Sequence, residues 1–187
     1  MSQTTPLAST PKLMVPVNER DHIQGSPDAP VTLVEYGDYE CPHCGRAYFI
    51  IQEIQRVFGY RLRFVFRNFP LTTVHPHAQH AAEAAEAAGA QGKFWEMHDA
   101  LYENQDALGD DHLRKYATEL GLDVERFSRE VFVDHTYADH VHEDFMSGVR
   151  SGVNGTPTFF INNRRHDGSW DKETLLVALK EAAESSQ

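Results

Sequence analysis

Apolar and polar residues change their period twice in the first third of the chain, and the changes predict a β-α-β unit. Val31–Tyr36 is β-branched and mostly apolar, which is typical of a buried central strand. From Pro42 to Phe58, apolar residues recur every three or four positions, as they do on one face of a helix. Arg61–Phe69 then alternates between apolar and polar residues, which predicts a second strand. A helix between two such strands has the size of a parallel β-α-β unit.

Residues from about 73 to 150 show no strand pattern, and we predict four or five helices there. Residues 80–90 are rich in alanine, the strongest helix former. Farther along, apolar residues fall on helical stripes, for example Phe94, Met97 and Leu101. We expect this all-helical subdomain to be an insertion between strands.

The last part of the chain returns to strand patterns and ends in a helix. Thr156–Asn162 predicts a strand, and a short second strand is expected at Arg164–Asp167. Asp171 is a suitable N-cap for the last helix, because its carboxylate can accept hydrogen bonds from the first turn. We therefore predict an α/β fold in which a β-α-β unit and a β-β-α unit share one sheet.

The predicted ordered domain covers residues 21–187, with the helical insertion at about 73–150. Residues 1–20 mix serine, threonine, proline and scattered charge, and they predict a flexible N-terminal arm. This segment lacks the basic and apolar regions of a secretory signal, so a cytoplasmic protein is expected. A leader missing from the sequence would instead indicate a periplasmic or exported protein.

Composition disfavours several classes of partner. The chain has 187 residues and a formal net charge of −11, which disfavours binding to nucleic acid and to anionic membranes. No apolar run approaches the roughly 18 residues that span a bilayer, so no membrane insertion is expected. With two cysteines, the chain does not fit a disulfide-scaffolded secreted module.

Those two cysteines, Cys41 and Cys44, form a C-x-x-C motif at the predicted start of the first helix. A helix N-terminus presents free N–H groups and partial positive charge, which stabilise a thiolate and lower its pKa. Cys41 is therefore the predicted nucleophile, and Cys44, one turn later, can resolve a mixed disulfide. Pro42 suits the first helical turn, and His43 can add a hydrogen bond or a positive charge. A stabilised thiolate also makes the disulfide form more oxidising.

Two segments distant in sequence are expected near the cysteines. Glu35 lies in an otherwise apolar strand, where burial would raise the pKa of its carboxyl and let it exchange a proton with Cys44. Pro157 opens a predicted buried strand, which is unusual and would be explained by a cis Thr156–Pro157 bond. The Thr156 backbone would then be free to pair with an extended substrate chain.

The segments VTLVEYGDYECPHC and GTPTFF together resemble those of the DsbA-like thiol–disulfide oxidoreductases of the thioredoxin superfamily. The resemblance covers about residues 21–183 and includes the long helical insertion. It implies a thioredoxin fold in which Cys41 attacks, Cys44 resolves, Glu35 is the buried acid and Pro157 is the cis-proline.

The same resemblance implies a reaction with protein or peptide thiols and disulfides. The expected role is an oxidant or isomerase-type disulfide donor, recycled by a redox partner that the sequence does not identify. No metal and no organic cofactor are implied.

Other interpretations of these residues stay open at the level of sequence. The cysteines could join His75 and His77 in a zinc site, although the spacing is unlike that of zinc fingers. Pro157 could be trans at a strand edge. Glu35 could instead form an ion pair with an arginine. The candidate arginines are in the next predicted strand: Arg61, Arg63 and Arg67.

The remaining histidines and two further classes of function complete the alternatives. Two histidine groups have metal-like spacing, but we interpret them as surface and helix-capping residues. They are His75, His77 and His80, and His135, His140 and His142.

A glutathione-dependent transferase or isomerase is an alternative function, since such enzymes share this architecture. Its chemistry needs no resolving cysteine, so the complete C-x-x-C pair argues against it. A non-catalytic redox-sensing module would use the helical insertion to bind a partner.

Overall fold

A five-stranded mixed sheet forms the centre of the structure. The computed structural model describes residues 9–186. Its strands are β1 (His22–Gln24), β2 (Val31–Gly37), β3 (Leu62–Asn68), β4 (Thr158–Ile161) and β5 (Arg164–Arg165). They lie in the order β1-β3-β2-β4-β5. β2 and β3 run parallel, and the other neighbouring pairs are antiparallel, so the two predicted units do share one sheet.

Seven helices within residues 9–186 complete the α/β fold. Helix α1 (Pro42–Phe58) has the predicted bounds and is followed by a short 3₁₀ turn, Gly59–Arg61. The insertion contains five helices: α2 (Ala78–Ala90), α3 (Phe94–Glu103), α4 (Asp110–Glu119), α5 (Val124–Phe132) and α6 (Ala138–Arg150). The last helix is α7 (Lys172–Glu184), and the Asp171 carboxylate caps it by accepting the Thr174 N–H at 2.9 Å. Within residues 9–186, no helix has both the length and the apolar character that a membrane crossing requires.

The alternation of side chains along the strands divides the core into two layers. On one face of the sheet, Leu33 and Phe64 belong to a large cluster with α1, α7 and the helices of the insertion. On the other face, Val34 and Phe160 pack with Phe69 and with residues near the N-terminus. Period-two patterning therefore places successive residues of β2 in different layers.

Alanine-rich α2 is the centre of the helical insertion. Its alanines are buried on several sides, and their small side chains allow α3 and α5 to pack closely against it. Glu83 and Glu86 are also buried on this helix. A buried carboxylate needs a hydrogen-bonding or charged partner, so the residues that face α2 must include such groups.

The segment before β1 differs from the flexible arm predicted for residues 1–20. Lys12 forms a β-bridge with Arg164, and the side chain of Leu13 is buried in the second core layer. The N–H of Met14 donates a hydrogen bond to Ser151 Oγ at 2.9 Å. The prediction is therefore corrected for residues 11–20, because long-range contacts hold a segment without local periodicity. Residues 1–8 lie outside the described part of the chain.

A buried ion pair connects this segment to the sheet. Arg67 of β3 is 2% exposed, and its Nε and Nη2 atoms each donate to one carboxylate oxygen of Asp21 at 2.8 Å. Its Nη1 donates to the carbonyl of Val15 and to the hydroxyl of Tyr36. Arg67 thus forms its ion pair with Asp21 and not with Glu35.

We predict that Asp21→Asn lowers the free energy of unfolding by about 3–5 kcal/mol, because it leaves the Arg67 charge buried and unpaired. Urea unfolding measures the change. The matched control is Glu53→Gln, which breaks a pair with Lys172 whose side chains are 47% and 40% exposed. Exposed pairs contribute about 0–1 kcal/mol. Equal losses in the two variants would contradict a special role for the buried pair.

Candidate active site

Cys41 occupies the N-cap of α1, directly after the loop that leaves β2. Its backbone is extended, with φ −72° and ψ 121°. Pro42 takes the first helical position, where the N–H that proline lacks would have no partner within the helix. The backbone N–H groups of His43 and Cys44 are then directed at the Cys41 sulfur.

The two cysteines have opposite acidities. Hydrogen bonds, from the Cys44 thiol first and also from backbone N–H groups, lower the pKa of Cys41 from 9.0 to about 5, although burial opposes the shift. Burial raises the pKa of Cys44 well above its ordinary value, and its hydrogen bond to Cys41 adds to that effect. Cys41 is 4% exposed and Cys44 is 0% exposed. At neutral pH, Cys41 is therefore the thiolate and Cys44 the protonated thiol.

His43 contributes to this site through its main chain. Its backbone N–H helps to lower the pKa of Cys41. The imidazole is exposed, and its Nδ1 atom is hydrogen-bonded by the Arg46 guanidinium. The ring is thus engaged one turn along the helix, and the hydrogen bond to the thiolate comes from the backbone.

The loop before β4 lies against the thiol. The Thr156–Pro157 peptide bond is cis. Cys41 Sγ is 3.6 Å from the Thr156 carbonyl oxygen, to which it donates a hydrogen bond only when it is protonated. The Thr156 hydroxyl oxygen is buried, and the Thr156 side chain also helps to lower the pKa of Cys41. Antiparallel pairing of β4 with β2 brings this loop beside the N-terminus of α1.

Glu35 is the buried carboxyl behind the cysteines. It is 2% exposed and lies between Phe66 of β3 and Phe159 of β4 in the sheet register. Burial, and then the negative charge of Cys41, raise the pKa of Glu35 from 4.5 to about 8. Its Oε1 atom has no hydrogen-bond partner in the described structure. The alternative interpretation, an ion pair with Arg61, Arg63 or Arg67, is not found.

Asp38 and His75 belong to the same site but were not assigned to it from sequence. The N–H of Asp38 donates to Cys44 Sγ at 3.5 Å. One oxygen of its carboxylate accepts the Leu71 N–H and lies 2.8 Å from His75 Nδ1. Burial alone would lower the pKa of His75, but Asp38 raises it overall. The one sequence feature that could have placed Asp38 in this site is its position just after a buried strand.

Gln105 supports the backbone around Cys41 from the insertion. Its Nε2 atom donates to the carbonyls of Tyr39 and Cys41, each at 2.9 Å. Gly45 makes this approach possible, since a Cβ atom there would lie 1.9 Å from Gln105 Oε1. Nothing in the local sequence around either residue indicates this contact.

Comparison with known proteins agrees with this geometry. A thioredoxin family model matches residues 17–181. A thioredoxin-like oxidoreductase from Silicibacter pomeroyi is 29% identical, with a TM-score of 0.78 over 89% of this chain and 94% of that chain. BdbD from Bacillus subtilis is 24% identical and shares the fold, with a TM-score of 0.79 over 94% of this chain and 96% of that chain.

Relatives among the curated proteins are much longer. The Na⁺/H⁺ antiporter NhaA 1 of Salinispora arenicola is 52% identical over 171 residues, which are 91% of this chain and 26% of that protein. The chain thus spans about a quarter of the length of the curated relatives it matches.

The chain belongs to the thioredoxin family, and its fold is that of the DsbA-like thiol–disulfide oxidoreductases. The family and the α/β thioredoxin fold expected from sequence are thereby confirmed.

We predict that Cys44→Ala raises the pKa of Cys41 from about 5 toward 9.0, because the Cys44 thiol is the largest cause of the lowered value. Cys44→Ser is the matched control, since its hydroxyl can still donate a hydrogen bond to the thiolate. From lowest to highest, the expected order of the Cys41 pKa is wild type, then Cys44→Ser, then Cys44→Ala. Thiolate absorbance and the pH dependence of alkylation measure it. Equal values in all three proteins would contradict the assignment.

Glu35 is predicted to make the disulfide form less stable as pH rises. Cys41 carries no charge in the disulfide, so burial, the larger cause, is what raises the pKa of Glu35 there; in the window between pH 4.5 and that raised pKa, folded Glu35 keeps a proton that the unfolded chain releases. Each pH unit in that window then removes up to about 1.4 kcal/mol. The reduced form is less informative, because the lowered pKa of Cys41 acts with the opposite sign between about 5 and 9.0.

Urea unfolding of the oxidised protein across this pH window tests the prediction. Glu35→Gln carries no titrating group at this position, so its stability curve is expected to be flatter by the contribution of Glu35. The other carboxyls are common to both proteins and cancel in the difference. Parallel curves for the two proteins would show that burial does not raise the pKa of Glu35.

Proposed function

We propose that this protein exchanges disulfides with protein or peptide thiols through the Cys41–Cys44 pair, as an oxidant or isomerase-type disulfide donor. The observation that carries the proposal is the asymmetry of the pair. One sulfur is a stabilised thiolate at a helix N-terminus, and the other is a fully buried thiol with a raised pKa. A nucleophile with a resolving thiol behind it is the arrangement that disulfide exchange requires.

In the oxidising direction, a substrate thiolate attacks Cys41 Sγ of the Cys41–Cys44 disulfide. The S–S bond breaks, Cys44 leaves as a thiolate, and a proton converts it to the thiol. A second substrate thiolate then attacks the substrate sulfur of the mixed disulfide, and Cys41 leaves as its stabilised thiolate. The substrate has lost two electrons and the cysteine pair has gained them. A recycling partner with an oxidising disulfide or quinone would restore the pair.

Glu35 is suited to supply the proton that Cys44 needs. Its pKa of about 8 keeps it protonated at neutral pH and close to the point of transfer. When Glu35 is ionised, its negative charge also raises the pKa of Cys44, so the two groups interact electrostatically. Glu35 is therefore proposed as the proton donor to Cys44 in oxidation and the acceptor in reduction, directly or through a water molecule.

Thr156 and Pro157 are proposed to receive the substrate chain. The Thr156 carbonyl lies 3.6 Å from Cys41 Sγ, so a peptide paired with the main chain of Thr156 would present its cysteine to the reactive sulfur. Main-chain pairing binds an extended chain with little dependence on its sequence. This mode of binding suits an enzyme that acts on many protein thiols.

The direction of exchange follows from the stabilised thiolate. Stabilising Cys41 as an anion stabilises the reduced enzyme, so the disulfide becomes the stronger oxidant. We therefore expect a reduction potential nearer to roughly −120 mV, as in strong disulfide donors, than to roughly −270 mV, as in reductases. Ion transport by the curated relatives is not carried over to this chain, because it spans only a part of their length.

Single-cysteine variants test the proposal. Cys41→Ser is expected to abolish both the oxidation of a reduced peptide and the reduction of insulin disulfides, because no other nucleophilic thiol lies at the site. Cys44→Ser is expected to accumulate a mixed disulfide between Cys41 and the peptide, visible by mass spectrometry. Val57→Ala, an exposed position on the same helix, is the control and should retain full turnover. Unchanged turnover in Cys41→Ser would refute the proposed function.

A further inference from the structure

Two carboxylates at the junction of the sheet and the insertion lack a permanently charged partner. Glu86 of α2 is 5% exposed, and the side chain of Asp144 on α6 is 14% exposed. Among the described residues, their ion-pair partners are histidines, with no lysine or arginine within reach. A buried anion needs compensating charge, which a histidine supplies only when it is protonated.

We propose that His22, Glu86 and His140, whose ligand atoms all lie within 4.8 Å of one another, bind one divalent cation of the Zn²⁺ type, and that Asp144 moves in as the fourth ligand. These residues come from β1, α2 and α6, and none of them belongs to the cysteine site. Two imidazoles and two carboxylates are a ligand set that suits Zn²⁺. Together, the two carboxylates supply the negative charge that a divalent cation requires.

Distances place three of the four side chains around one point, and they place Asp144 next to His140 only. His22 Nε2 lies 2.8 Å from Glu86 Oε2, and His140 Nε2 lies 3.4 Å from Glu86 Oε1. His140 Nε2 is also 3.7 Å from Asp144 Oδ2. A tetrahedral site with bonds of about 2.0–2.1 Å separates neighbouring ligand atoms by roughly 3.3 Å. The observed separations lie on both sides of that value, and Asp144 would have to move toward His22 and Glu86 to complete the site.

Outer contacts hold these ligands in place. Asn68 is buried, and its Nδ2 atom donates to Glu86 Oε1 at 2.8 Å and to Asp144 Oδ2 at 3.0 Å. Its backbone N–H donates to the same oxygen of Asp144. The imidazole of His22 stacks on Phe94 with ring centroids 3.5 Å apart. Such partners orient metal ligands and are typical of sites that are organised before the ion binds.

An open cavity gives the cluster access to solvent. It has a volume of about 360 Å³ and is lined in part by His140 and Asp144. Arg20, Arg67 and Arg150 also line it; Arg67 is paired with the two oxygens of Asp21, and Arg20 is paired with Glu143. Acidic side chains thus compensate two of the three arginines, and Asp144 lies where the cavity meets the ligands.

A second histidine cluster on α2 is less well organised. His80, Glu83 and His135 also bring their ligand atoms within 4.8 Å of one another. However, the side chain of His135 is 47% exposed, and His80 Nδ1 is bound to Asp110 at 2.8 Å. Binding there would bring one buried carboxylate to the ion, against two at the first cluster. It is the natural competitor in a test.

Zinc titration of the untagged protein tests the proposal. The Cys41–Cys44 disulfide is kept intact so that thiolates cannot bind the metal, and isothermal calorimetry follows Zn²⁺ alone. We expect one equivalent to bind, and His140→Ala to weaken the affinity by roughly 100-fold or more, beyond the effect typical of losing an outer partner. His142→Ala, an exposed histidine on the same helix, should bind as the wild type does.

Other outcomes are equally decisive. Binding that survives His140→Ala, or that is lost in His80→Ala instead, would overturn the proposal. Where His140→Ala fails to fold, crystals of the wild-type protein soaked in Zn²⁺ and measured at the zinc absorption edge replace it. An anomalous peak among the four side chains supports the site, and its absence overturns it. Neither readout depends on disulfide exchange activity, so this proposal is tested independently of the proposed function.

Discussion

Pairing of β2 with both β3 and β4 is the constraint on which the candidate site depends. β2 joins the first unit of the fold to the last, across the whole helical insertion. That pairing places the Thr156 carbonyl beside Cys41 and encloses Glu35 between two phenylalanines of the neighbouring strands. A shift of one residue in register would turn Glu35 to the opposite face of the sheet. The chemistry of the cysteines is therefore a property of the sheet as much as of the motif.

Electrostatics then separate the roles of three acidic groups. The charge on Cys41 raises the pKa of Glu35, and the charge on Glu35 raises the pKa of Cys44. Burial acts in the same direction on both of these groups, whereas hydrogen bonds at the helix N-terminus favour the Cys41 anion. The reduced site at neutral pH consequently holds one negative charge on these three groups, at Cys41 beside the Thr156 carbonyl. Asp38 and Gln105 keep the backbone around that sulfur in place.

The insertion contains buried carboxylates that need polar partners from other elements. Small alanines let α2 sit at the centre of the helical block, but Glu83 and Glu86 lie on the same buried helix. Their polar partners come from other elements, namely His135 for Glu83 and His22, His140 and Asn68 for Glu86. Polar interactions thus connect α2 to β1, β3 and α6, in addition to the apolar packing. Buried polar groups that are satisfied in this way rigidify the junction between the sheet and the insertion.

Periodicity and local chemistry in the sequence determined much of the fold: the order of the units, the bounds of α1, the helical insertion and the Asp171 cap. They also predicted that Cys41 and Cys44 form a redox pair, because the helix N-terminus that stabilises a thiolate is itself a local feature. Strand β1, the packing of residues 11–20, the Arg67–Asp21 pair and the contact of Gln105 with Cys41 were decided only by the tertiary structure. Each of these depends on residues far apart in the chain, and a segment as short as His22–Gln24 carries no period of its own. Local pattern specifies elements, whereas burial and long-range hydrogen bonds specify which polar groups meet.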